Sequence, residues 1–244
     1  MPRYFLEVSY KGSNYSGFQS QKNTDKTIQS EVEKAFSVLQ KEKVVMTGSS
    51  RTDAGVHALQ NYFHFDYQYD IHPQFIYKIN AILPGDIVIR NISRVADDAH
   101  CRFDAISREY KYFIYRKKNP FLEDRALFFP YSLDMDQLQE AAGIIKEYHD
   151  FTSFSKRNTQ VKTFQCAIYQ SEWITEGECL VYHVKANRFL RGMVRALTAT
   201  MLRVGTGKIS SDQLRQIIEA KDCTQASFAV PAHGLFLVAV AFPV

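Results

Sequence analysis

The sequence predicts an α+β protein made of two related split-βαβ halves sharing an extended, largely antiparallel sheet with helices packed on it. Two observations lead there. Stretches that alternate apolar and polar residues, such as "REYKYFIYR", read as strands with one buried face. Between them, apolar residues recur every three to four positions, the period of a helix lying on a sheet. The same order of elements comes twice along 244 residues, with no sequence repeat and no low-complexity linker. This puts a boundary near residue 105 and gives halves 1–105 and 106–244.

Arg3–Tyr10 is the first strand, followed by the loop "KGSNYSGFQSQ". Thr27 is placed to cap a helix in which Ile28, Val32, Phe36 and Leu39 keep helical spacing. Val44–Thr47 reads as a short strand running into "SSRTDAGVHA", and Asn61–Tyr67 as the next strand. A helix over Phe75–Leu83 stops at the turn "LPGD", and Ile87–Val95 completes the first half. In the second half, Leu138, Ala141, Ala142, Ile145 and Tyr148 mark a helix begun by Asp134 or Asp136. Strands at Phe164–Ile174 and Leu180–Ala186 follow, then a helix over Phe189–Val204. Leu214, Ile217 and Ile218 define a last helix, and "GLFLVAVAF" reads as a buried closing strand.

At 45% hydrophobic and 23% charged residues the composition is that of a soluble globular protein. No apolar run approaches the roughly 18 residues of a membrane span. "MPRYFLEVSY" enters strand-like sequence at once, without the apolar block of a signal peptide, so a cytoplasmic location is expected. Cys101, Cys166, Cys179 and Cys223 are scattered and form no CxxC pair, which argues against a zinc cluster or a disulfide framework. The net charge of +4 is only a weak basic bias, so where the charge sits matters more than its sum. The 18 Phe and 14 Tyr are mainly core material, with a few available to stack on bases.

Two stretches can carry chemistry. "SSRTDAGVHA" is either a polar turn, since Asp and Gly are good turn formers, or a loop that presents Asp53. In the second case Arg51, two positions back, helps keep the carboxylate ionised for attack on a sugar carbon. Local sequence leaves both readings open. In "RFLRGMVRALTATMLRV", Leu190, Met193, Val194, Leu197, Met201 and Val204 form one apolar face, with Arg188, Arg191, Arg195 and Arg203 opposite. That basic face is either simply solvated or directed at phosphates.

Taken together and in order, "YKGSNYSGFQSQ", "SSRTDAGVHA", "NAILPGDIVI", "HCRFDAISREYKYFIY", "DFTSFSK", "KANRFLRGMVR" and "HGLFLVAV" resemble the TruA family of tRNA pseudouridine synthases over nearly the full length. The resemblance implies the pseudouridine synthase fold, with ferredoxin- or RRM-like halves. It also implies conversion of uridine to pseudouridine in the anticodon arm of tRNA, at positions 38, 39 and 40, by base flipping. Asp53 is then the catalytic residue and Tyr110 stacks on the flipped uracil, its hydroxyl a candidate for the C5 proton. Arg51 helps hold the flipped-out state, Arg195 pairs with Asp53, and Leu235 is an apolar wall of the uracil pocket. Arg188 and Arg191 point toward phosphates, while His57 is structural. A homodimer with RNA lying across both subunits is likewise implied, with no cofactor, no metal and no membrane. Lys11, Phe18 and Ser50 depart from the family's common Asp, Trp and Gly, and "VKTFQCAIY" lacks an Arg often found there. The departures bear on the entrance loop and one RNA contact. Two other classes compete: a non-catalytic RNA-binding protein with an RRM-like sheet, and an Asp-dependent nucleoside hydrolase or glycosidase. The first lacks an RNP-like motif, and the second lacks a paired carboxylate in a matching context.

Overall fold

The computed structural model describes residues 1–21, 23–156 and 161–243. They form two compact units, Met1–Ile106 with Phe236–Val244, and Ser107–Leu235. Each is mixed α+β with mostly antiparallel strand pairing.

The first unit runs β1 (Arg3–Tyr10), α1 (Ile28–Gln40), β2 (Thr47–Gly48), β3 (His57–Asp66), α2 (Phe75–Ile82) and β4 (Ile87–Val95). β1 pairs antiparallel with both β3 and β4, and β2 pairs antiparallel with β3. Thr27 caps α1 as its sequence context predicts: its side chain accepts from Ser30 N–H, and Ser30 Oγ accepts from Thr27 N–H. Ile28, Val32 and Phe36 are buried, and the Phe36 ring meets Phe65, Tyr67 and Phe75 at centroid distances of 5.1, 5.3 and 5.6 Å. The expected strand at Val44–Thr47 shrinks to Thr47–Gly48. The reason is competition for its backbone: Met46 N–H donates to Glu33 Oε1 and Met46 C=O accepts from Gln29 Nε2, both on α1.

The second unit contains β5 (Ser107–Tyr115), β6 (Leu127–Phe128), α3 (Met135–Ile145), β7 (Ile168–Glu176), β8 (Cys179–Ala186), α4 (Met193–Gly205) and α5 (Ser211–Glu219). β8 lies between β5 and β7, antiparallel to both, and β6 adds a short parallel pairing to β5. Asp134, rather than Asp136, caps α3, accepting from the N–H groups of Asp136 and Gln137. Tyr148 lies beyond that helix. Phe164–Ala167 does not join β7, because Phe164 C=O and Cys166 N–H bond instead to Phe151 and His149.

α4 departs most from expectation. It begins at Met193, not Phe189, after Gly192 in the left-handed region at φ 76°. A Cβ at Gly192 would stand 3.1 Å from the Lys156 side chain and 3.3 Å from the Phe228 ring, so the turn is both conformationally and sterically suited to glycine. Arg188 and Arg191 therefore precede the helix. Met193, Val194, Leu197, Met201 and Val204 are buried as the expected apolar face requires, but Ala196, Thr198, Ala199 and Thr200 are buried too, so burial runs well beyond that face. Of the four arginines only Arg195 and Arg203 lie on the helix, both partly exposed. Buried Thr198 satisfies its hydroxyl by donating to Val194 C=O.

The closing strand β9 (Leu235–Ala241) pairs parallel with β3, Phe236 opposite His57 and Leu237 opposite Ala58. Residues from Phe236 on thus belong to the first unit, although the order of elements groups them with 106–244. A parallel pairing needs a long connection, and here the whole second unit supplies it. Among the described residues, no helix is long and apolar enough to cross a membrane.

Candidate active site

Asp53 lies in the loop that joins β2 to β3, partly exposed between exposed Ala54 and buried Thr52. Asp53 C=O accepts from Val56 N–H at 3.2 Å, closing a turn through Ala54 and Gly55. Arg51 is exposed. The turn expected from local composition is therefore present, and it is firmly held.

Much of the holding comes from the glycine-bearing loop after β1. Phe18 N–H donates to Thr52 C=O at 3.1 Å, and Gly12 N–H donates to His57 Nδ1 at 3.1 Å. His57 is 1% exposed, and its ring stacks on Phe236 with centroids 4.5 Å apart. Because Nδ1 accepts a backbone hydrogen bond, it carries no proton, and the ring is fixed as the Nε2–H tautomer. A structural His57 follows from this geometry. Gly12 approaches so closely that a Cβ there would lie 2.0 Å from Val56 C=O. Gly12→Ala must push the two loops apart, and we expect a loss of about 1–3 kcal/mol. Gly85, with nothing within 4 Å of its would-be Cβ, serves as the control. Urea unfolding of the two alanine variants checks this; equal midpoints would show that the loop contact is slack.

Tyr110 lies on β5, opposite Val184 of β8. Sequence spacing makes Tyr110, Tyr112 and Tyr115 look alike, and their surroundings separate them. Tyr112 is 0% exposed, and its hydroxyl donates to Pro231 C=O at 2.8 Å. Burial pushes its ionisation well above the usual tyrosine range. Tyr115 packs against Phe128 at 5.2 Å. The Tyr110 ring meets the edge of Phe189 at 5.1 Å and 86°.

Phe189 sits in the segment from β8 to α4 that also carries Arg188 and Arg191. Asn187 anchors that segment: its side chain accepts from Ala167 N–H, its N–H donates to Ala167 C=O, and its own C=O accepts from Arg108 Nη1. Arg188 is partly exposed and Arg191 exposed, and Arg191 C=O accepts from Lys156 N–H. Arg195, in the first turn of α4, directs Nε and Nη2 to Val230 C=O at 2.9 and 2.7 Å. Arg195 and Tyr112 thus grip neighbouring carbonyls, at Val230 and Pro231, of the segment leading to Leu235. Leu235 is buried, and its N–H donates to Ala232 C=O at 2.9 Å. Arg51 and Asp53 therefore share one loop of the first unit, and Tyr110, Arg188, Arg191, Arg195 and Leu235 belong to the second. The grip on Val230 and Pro231 could not be read from sequence, because its acceptors are backbone carbonyls.

A family described as tRNA pseudouridine synthase matches residues 7–104 and 148–243 of this chain. A tRNA pseudouridine synthase A of Parabacteroides distasonis is 44% identical over 245 residues, covering 100% of this chain and 97% of the relative. The enzyme of that name from Porphyromonas gingivalis is 42% identical, covering 100% and 98% respectively. The one from Staphylococcus carnosus is 40% identical, covering 96% of this chain and 89% of its own. With similarity of this depth covering the whole chain and reaching both units, the chain belongs to the tRNA pseudouridine synthase A family.

Proposed function

We propose that this protein is a tRNA pseudouridine synthase that isomerises uridines 38, 39 and 40 of the anticodon arm, with Asp53 as its catalytic carboxylate. The observation that carries the reading is the loop of Asp53, held by the Gly12–His57 and Phe18–Thr52 hydrogen bonds in a chain of this family. A loop held before substrate arrives favours the geometric demand of attack by the carboxylate it carries.

The reaction balances without a co-reactant. The N1–C1′ bond breaks, C1′ bonds to C5, the C5 proton leaves and N1 gains a proton. Asp53 acts at C1′, at C6 of the uracil, or as the base that gives a glycal; each route needs it ionised at the flipped nucleotide. The target base is flipped out of the stack, and Arg51 helps hold that state. Tyr110 stacks on the uracil, Leu235 walls its pocket, and Arg195 supplies the counter-charge to Asp53. Arg188 and Arg191 meet phosphates. No cofactor is required, and the protein works in the cytoplasm as a homodimer with tRNA across both subunits.

Mapping pseudouridine in tRNA from cells with and without the protein tests the assignment: loss confined to positions 38–40 is expected, and an unchanged map overturns it. Tyr110 gives a finer test. Tyr110→Phe keeps the ring and should retain affinity while slowing turnover roughly tenfold, whereas Tyr110→Ala also loses the roughly 1–3 kcal/mol of base stacking. Normal turnover in Tyr110→Phe would remove the hydroxyl from the mechanism and leave only stacking.

A further inference from the structure

β3 buries a residue that does not belong in a hydrophobic strand face. Asn61 shares the phase of Phe63 and Phe65, and like Phe63 it is 0% exposed. A buried amide is costly unless its polar atoms are bonded. Those of Asn61 are bonded, and two of the four partners, Ser49 and Ser50, lie in the loop of Asp53. Oδ1 accepts from Ser49 Oγ at 2.9 Å and from Tyr62 N–H at 2.9 Å. Nδ2 donates to Ser50 C=O at 2.9 Å and to the Tyr10 hydroxyl at 3.2 Å. The Tyr10 hydroxyl in turn pairs with Thr52 Oγ1 at 2.8 Å. The amide thus reaches Ser49 and Ser50 directly and Thr52 through Tyr10, which covers the residues leading into Asp53.

The geometry points to Asn61, Tyr10 and Thr52 as positioning residues, a buried relay that fixes the Asp53 carboxylate for turnover. None of them needs to touch substrate. Tyr10 is 5% exposed, Thr52 is 7% exposed, and the Tyr10 ring is packed on Phe18 with centroids 5.7 Å apart. Their effect passes through the backbone of Thr52, the residue before Asp53. A network serving stability alone would gain little by being polar here, since the neighbouring positions of the same face, Phe63 and Phe65, are filled by rings. The inference rests on the proposed catalytic role of Asp53.

The Tyr10–Thr52 link is the joint that can be cut with least disturbance. Tyr10→Phe keeps the ring on Phe18, and Thr52→Val keeps the shape of the threonine. Each should lower kcat for pseudouridine formation roughly tenfold, the order expected of a slackened reacting group, while KM for tRNA stays within about twofold. The double variant should lose no more than Tyr10→Phe alone, because that substitution already removes the bond to Thr52, along with the one from Asn61. Thr52→Ser, which keeps the hydroxyl, should recover most of the rate. Melting temperatures of all four variants show that the compared proteins are folded. Singles that keep parental kcat, losses that multiply to roughly a hundredfold in the double, or a change confined to KM each overturn the relay. Asp53→Asn measured in parallel separates the two ideas. If Asp53→Asn turns over, the catalytic reading itself fails; if it is inactive while the relay variants are normal, only the relay fails.

Discussion

Asp53→Asn should lose pseudouridine formation by at least about a thousandfold, some 4 kcal/mol of barrier, while binding tRNA as tightly as the parent. The amide has the shape and most of the hydrogen bonding of the carboxylate, so the loop should stay where it is. Its turn is closed by the main chain of Asp53, and its fastenings run through Gly12, His57, Phe18 and Thr52. What disappears is the charge. An amide is a poor nucleophile and a poor base, so every route open to the carboxylate is blocked together. The measurement is single-turnover release of label from uridine tritiated at C5, alongside filter binding of the same tRNA. Turnover within about tenfold of the parent, a loss of only ~1.4 kcal/mol, would remove Asp53 from the chemistry. Weakened binding with normal single-turnover rates would make it a recognition residue instead.

Local chemistry was the most legible part of the sequence. Thr27 and Asp134 each cap a helix by accepting from N–H groups two or three residues on, and such short-range pairs depend on nothing distant. β1 and β4, bounded by turn sequence such as "LPGD", have the expected bounds for the same reason. Expectation failed where a distant partner decided the outcome. Val44–Met46 has strand composition, but Gln29 and Glu33 take the backbone groups of Met46. The basic face expected on α4 keeps only Arg195 and Arg203, because the helix starts at Met193, and its buried surface is wider than one apolar stripe. Small residues such as Ala196, Ala199 and Gly205 form further buried surface, and a Cβ on Gly205 would come within 2.7 Å of Leu138 on α3. Periodicity weighs large apolar residues and cannot see that small ones mark close helix packing. At the candidate site, Asp53 came forward only through the resemblance of "RTDAGVH" to a family's motif, and the hydrogen bonds of Asn61 behind that loop were missed. The available signal was Asn61, a polar residue in the inward phase of a strand.

The arginines around the start of α4 should separate into an inner and an outer group when tested by salt. Arg195→Gln should lower turnover at saturating tRNA about a hundredfold and leave affinity nearly unchanged. Arg195 is partly buried and spends Nε and one Nη2 hydrogen on Val230 C=O, which orients the rest of the guanidinium and steadies the segment leading to Leu235. The proposed counter-charge to Asp53 and this grip on the backbone both need a planar fork. Lysine offers one point charge and cannot reproduce it. Arg195→Lys should therefore remain at least tenfold slower than the parent despite keeping the charge, an effect on the scale of a misplaced catalytic group. Arg191 is exposed and sits before the helix, its carbonyl bonded to Lys156 N–H. If it neutralises a phosphate, Arg191→Gln releases fewer counterions on binding and flattens the plot of log affinity against log salt by roughly 0.7–0.9. Its turnover at saturation should be close to that of the parent. Affinities at several salt concentrations and single-turnover rates for the three variants check both arms. Full activity in Arg195→Lys would mean that charge alone matters and that the grip on Val230 is incidental. The same salt slope and the same rate loss in Arg191→Gln and Arg195→Gln would mean that both residues belong to one undivided RNA-binding surface, with no arginine reserved for Asp53.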